Sequence, residues 1–74
     1  MTLKQQTQNV ALDLKRTVNY RLSGDIKKSD YFYNEANNTY RNLKLKIPDH
    51  LKPFIIFDGN LEEILMTSTI LERI

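Results

Sequence analysis

The 74-residue chain has no cysteine, which excludes disulfides and thiolate metal sites. It has one histidine, His50, and no His/Asp/Glu cluster spaced for a metal. A hydrolytic triad needs a nucleophile, a base and an orienting acid. His50 stands in Pro48-Asp49-His50-Leu51, the setting of a solvated or capping loop residue. The two glycines, Gly24 and Gly59, are isolated, so no phosphate-cradling loop exists. No run of about 18 apolar residues is present, so no transmembrane helix is expected. The opening Met1-Thr2-Leu3-Lys4-Gln5-Gln6 lacks the charged-then-apolar layout of a secretion signal. The expectation is a cytoplasmic, non-enzymatic protein without cofactor or membrane anchor.

What the chain does have is an apolar C-terminal third. Leu51, Phe54, Ile55, Ile56, Phe57, Leu61, Ile64, Leu65, Met66, Ile70, Leu71 and Ile74 fall in its last 24 residues. A domain this small buries only about 60% of the surface its unfolded chain exposes. With disulfides and metals gone, oligomerisation or partner docking is the remaining source of extra stability. Charge is also uneven. Residues 1–52 hold ten Lys/Arg against five Asp/Glu, or +5; residues 53–74 hold one against four, or −3. Such a split can orient two subunits or present a basic face to nucleic acid. Abundant Lys, Asn and Ile with scarce Gly suggest an AT-rich coding sequence, as in low-GC bacteria, their phages and plasmids.

Periodicity predicts one small, mostly α domain over 1–74. Thr2 and Gln5 form a capping box. Leu3, Val10, Ala11, Leu14, Val18 and Leu22 then share a helical face, and Ser23-Gly24 closes the helix, read as 3–22. Leu12 and Tyr20 lie off that stripe, as exposed residues or a second contact face. Asp25 is the N-cap of a second helix, read as 25–45, with a seam of Ile26, Tyr33, Ala36, Tyr40, Leu43 and Ile47. The short connection predicts an antiparallel hairpin. The separations of Tyr20, Gly24, Tyr33 and Ala36 resemble one tetratricopeptide-type hairpin. Ser29 stands where that pattern has alanine, and its closing proline is displaced to Pro48. One unit cannot build a solenoid, so the resemblance implies a helical hairpin and no more.

Residues 43–57 read two ways. Leu43-Lys44-Leu45-Lys46-Ile47 alternates like a strand, yet Leu43 and Ile47 also continue the helical seam. Pro48 ends whichever element it is, and Pro53 fits only the first turn of a helix. The first expectation is an irregular apolar connector with a helical turn at 53–57. The alternative is a short β-hairpin pairing 43–47 with 54–57. Asn60 and Glu63 form a second capping box, opening a helix from about 61 to the C-terminus. Glu62 and Glu63 in its first turn and Arg73 in its last suit the helix dipole.

On a wheel of roughly 100° per residue, the last helix carries two apolar stripes. Leu61, Ile64, Leu65 and Leu71 are assigned to the core. Met66, Ile70 and Ile74 are left for a partner, together with Phe54, Ile55, Ile56 and Phe57. One stripe is normal for a surface helix; two ask for a second surface. The expected function is therefore protein–protein interaction or regulation, as a homodimer or docked subunit, with a mobile element as its source. The competing expectation is that 47–57 fold over the second stripe and close the core within one chain.

A second functional expectation comes from Asn42-Leu43-Lys44-Leu45-Lys46-Ile47-Pro48-Asp49-His50-Leu51, which resembles the opening of a ribbon-helix-helix domain. The resemblance implies a DNA-binding transcriptional regulator in which two chains pair this strand as a ribbon. Asn42, Lys44 and Lys46 would then enter the major groove, and the last helix would dimerise. Pro53 and Asp58-Gly59 make the intervening helix shorter than in that family.

Overall fold

The computed structural model describes residues 2–74. Among them are three α-helices: α1 (Leu3–Leu22), α2 (Ile26–Leu43) and α3 (Leu61–Glu72). Each start is set by side chains within one turn of it. The Thr2 hydroxyl accepts the Gln5 N–H at 3.2 Å, and Gln5 Oε1 accepts the Thr2 N–H at 2.9 Å. Asn60 and Glu63 repeat the exchange at 2.9 and 3.1 Å, satisfying N–H groups that a helix start leaves free. Glu63 reaches back over Gly59, where a Cβ would come within 2.8 Å of its side chain.

The turn between α1 and α2 takes three residues. Gly24 adopts φ +87°, a conformation other residues rarely reach. The Gly24 N–H bonds Arg21 O and the Asp25 N–H bonds Tyr20 O, the paired closure of a Schellman motif. Asp25 then caps α2 by accepting the Lys28 N–H at 3.2 Å. The hairpin closes on small residues. The Ser29 hydroxyl donates to Thr17 O at 3.1 Å and accepts from Arg21 Nε at 3.2 Å. Along its outer edge Tyr20 stacks on Phe32 at 5.6 Å and Arg16 lies 5.2 Å above the Phe32 ring. Asp13 sits half-buried on the same flank. Burial raises its carboxyl above the ordinary range, with Arg16 opposing and Glu35 reinforcing.

α1 is the central element. α2 packs on one flank of it and α3 on the other, while α2 and α3 barely meet. One core results: Val10, Ala11, Leu14 and Val18 of α1, Ala36 and Leu43 of α2, Ile47, and Ile64 and Leu71 of α3. α3 runs alongside α1 and its last turn reaches Lys15, which pairs with Glu72.

The connector fills the gap between α2 and α3. A 3-10 turn at Lys44–Lys46 tightens the end of α2. Ile47 is buried and extended, as a residue before proline must be. A second 3-10 turn, Lys52–Phe54, carries Pro53 in its first positions. The chain then crosses extended, and Phe57 packs on Tyr40 at 5.0 Å and Tyr33 at 6.4 Å.

Three expectations are corrected here. No strand is present among the described residues, so 43–47 and 54–57 form no β-hairpin. Leu43 and Ile47 are both buried, whereas Leu45 between them, in the 3-10 turn, is 87% exposed; the alternation only mimicked a strand. The expected turn at 53–57 sits at 52–54, and the Ile56 N–H bonds the Thr67 hydroxyl of α3. Leu22 and Ile26, expected in the core, are 70% and 55% exposed. α3 has 12 residues against the 20 of α1, so the hairpin tip has no third wall.

Thr67 is the clasp between connector and α3. Fully buried, its hydroxyl accepts the Ile56 N–H at 2.9 Å and has Ile56 O and Glu63 O as acceptors at the same distance. Thr67→Val keeps the shape and leaves that N–H unpaired, at an expected cost of about 1–3 kcal/mol. Thr67→Ser should retain most of the stability. Urea unfolding of both variants checks this; a valine variant as stable as the wild type would mean that the hydroxyl does not hold the connector.

Candidate interaction surface

α3 turns Ile64, Thr67, Ser68 and Leu71 inward, all fully buried. Thr67 and Ser68 are small, and the Ser68 hydroxyl is satisfied within the helix by Leu65 O at 2.8 Å, so they can face a core without an unpaired polar atom. The periodicity of large apolar residues could not reveal this, because two of the four inward positions carry hydroxyls. The expected core stripe is corrected accordingly. Ile64 and Leu71 are core and Leu61 is half-buried, but Leu65 is 41% exposed. The connector binds beside Thr67 and so sets which side of α3 faces inward.

The residues assigned to a partner divide as well. Met66 is 64% exposed and Phe54 61%. Ile55, Ile56, Phe57, Ile70 and Ile74 are half-buried. Of these, Ile55, Phe57 and Ile74 pack against the core. Ile56 is tied to Thr67. The connector thus covers part of the surface that the sequence left open, which leaves the outer face of α3 as an apolar surface in solvent. That face carries Glu62, Leu65, Met66, Thr69 and Arg73, all exposed, with Ile70 at its border. Leu12 of α1 is also exposed, at 45%. The molecule spans 34 × 23 × 16 Å by its Cα atoms. Nothing among the described residues lies over this face, whose residues stand in solvent.

Asn42, Lys44 and Lys46 are also exposed. They occupy the last turn of α2 and the 3-10 turn after it, so they do not lie on an extended strand. His50 is exposed in the loop before Lys52. Nearby, Lys52 bonds Asp49 at 2.9 Å, and this bond holds the Asp49 carboxyl below its ordinary range. Among the described residues no group of His, Asp and Glu is placed to hold a metal ion.

Fold and surface together define a small three-helix protein whose third helix has an uncovered apolar face. No helix among the described residues is long and apolar enough to cross a membrane. No family model, curated protein or solved structure matches the chain.

Proposed function

We propose that this protein is a non-enzymatic interaction module, a regulator or accessory factor, that engages another protein chain through the outer face of α3. The observation that carries the reading is that both Leu65 and Met66 stand in solvent, on a helix whose inward face is already complete. Fully burying such side chains contributes about 1.5–3 kcal/mol each, enough to anchor a contact. Ile70 borders the pair, and Phe54 offers a second exposed contact on the connector. A cytoplasmic location and an origin in a phage or other mobile element belong to the same proposal; composition alone supports them.

The test is photocrosslinking in producing cells from a benzophenone amino acid at Leu65, with Asn34 on the polar face of α2 as control. An adduct should form at Leu65. It should fall to the Asn34 level when Met66→Glu and Ile70→Glu are added, while circular dichroism shows the helices intact. No adduct at Leu65 above the control would overturn the reading.

A further inference from the structure

We propose that the partner at this face is a second copy of the chain, docked by antiparallel pairing of α3 on α3 about a two-fold axis between Met66 and Thr69. This rests on the interaction reading above and adds the partner and the register.

Glu62, Met66, Thr69 and Arg73 follow one another at steps of four, three and four. That spacing aligns them along one side of a helix, the side opposite the buried Ile64 and Leu71. Leu65 and Ile70 flank the line. Its order is symmetric except in charge sign: an acid, two uncharged residues, a base. A two-fold interface is self-complementary, with residue i meeting j and j meeting i. An antiparallel pairing centred between residues 67 and 68 brings Glu62 opposite Arg73 of the second copy. Met66 then faces its Thr69, while Leu65 meets Leu65 of the second copy along one edge of the contact and Ile70 meets its Ile70 along the other. The Glu62–Arg73 and Met66–Thr69 contacts each occur twice.

Three observations favour this occupant. Glu62 and Arg73 are exposed, and neither takes part in an ion pair among the described residues, so both charges are free to answer each other across the axis. The Thr69 hydroxyl already donates to Leu65 O at 3.1 Å, so covering it orphans no donor. A parallel pairing would set Glu62 against Glu62 and Arg73 against Arg73, whereas the antiparallel one also opposes the helix dipoles. The 12-residue helix is about 18 Å long. The contact therefore belongs to the small, transient class of interfaces below about 1,200 Å², and its dissociation is to be read at micromolar to submillimolar protein.

Sedimentation equilibrium of the full chain tests the register. The wild type should dimerise with rising concentration. Glu62→Arg or Arg73→Glu alone sets like charges together at two sites and should weaken the dimer about tenfold. The double variant should regain it. Mixing the two single variants should give a heterodimer tighter than either alone, because each then supplies the charge the other lacks. Glu62→Gln and Arg73→Gln, which remove charge without reversing it, should weaken association less. Circular dichroism verifies that all variants keep their helices. A wild type monomeric throughout overturns self-pairing, as does a dimer indifferent to all these substitutions. In either case an adduct from Leu65 would still uphold the interaction reading. Loss of that adduct removes the reading itself.

Discussion

Leu14→Ala is expected to remove most of the protein's stability. Leu14 is fully buried near the middle of α1, the one helix that packs against both others. Its side chain belongs to the single core cluster, so the hole opened by alanine touches the whole domain. Leucine-to-alanine changes at such sites cost about 2–5 kcal/mol, more when neighbours cannot collapse into the space. A folded domain has a margin of about 5–15 kcal/mol, and a chain of this size sits at the low end because it buries a smaller share of its surface. Urea unfolding followed by circular dichroism should show the midpoint falling by half or more, or a variant partly unfolded in buffer. A loss below about 1 kcal/mol, typical of a surface change, would contradict the packing of α1 between its two neighbours.

Phe57→Ala should have the second-largest effect, and its contrast with Phe54→Ala is informative. The two phenylalanines bound one four-residue apolar run, and both are reasonable partner contacts by sequence. In the fold they separate. Phe57 packs on Tyr40 and Tyr33 and joins the core, whereas Phe54 is 61% exposed. Buried phenylalanine-to-alanine changes cost about 3–5 kcal/mol. Phe57 is half-buried, so the lower end applies, near 3 kcal/mol, including the aromatic contacts at about 0.5–1.5 kcal/mol each. Phe54→Ala should lie within about 0.5 kcal/mol of the wild type. Hydrogen exchange should localise the Phe57 effect: the Ile56 amide, held by Thr67, should lose protection before the α1–α2 hairpin does. Equal effects from the two substitutions would show that the connector is not docked on α2.

These two sites bear on the proposed interface. Part of what a second chain was expected to cover is taken up within the chain: Ile55, Phe57 and Ile74 pack against the core, and Ile56 is tied to Thr67. The cost of that arrangement falls on the opposite side of the helix, where Leu65 and Met66 remain in water. Loss of Phe57 should therefore loosen the connector and weaken association through the changed seating of α3. Phe54→Ala should leave association intact if the contact is confined to α3.

The helices were legible in the residues alone. Thr2 with Gln5, Gly24, Asp25, and Asn60 with Glu63 each act on N–H or C=O groups within one turn, so the starts and the α1–α2 turn follow without tertiary information. Val10, Ala11, Leu14 and Val18 were readable as a buried face because their spacing admits only one side of a helix. Met66 was readable as exposed for a related reason: α3 carries more apolar residues than one face can take. What α3 turned inward was decided elsewhere. Thr67 and Ser68 are buried only because the connector and α1 approach them closely, and their hydroxyls find acceptors there or in their own helix. Leu22 and Ile26 belong to apolar seams yet stand in solvent, because burial needs a neighbour and α3 stops short of the hairpin tip. Leu43 to Ile47 suits strand and helix equally in isolation; the buried Leu43 and Ile47, on either side of a 3-10 turn, select the turned path. Caps and periodicity act over a few residues, so the sequence by itself determines where helices begin and which faces are apolar. Which of those faces is covered depends on elements distant in the chain, and only the tertiary structure settles it.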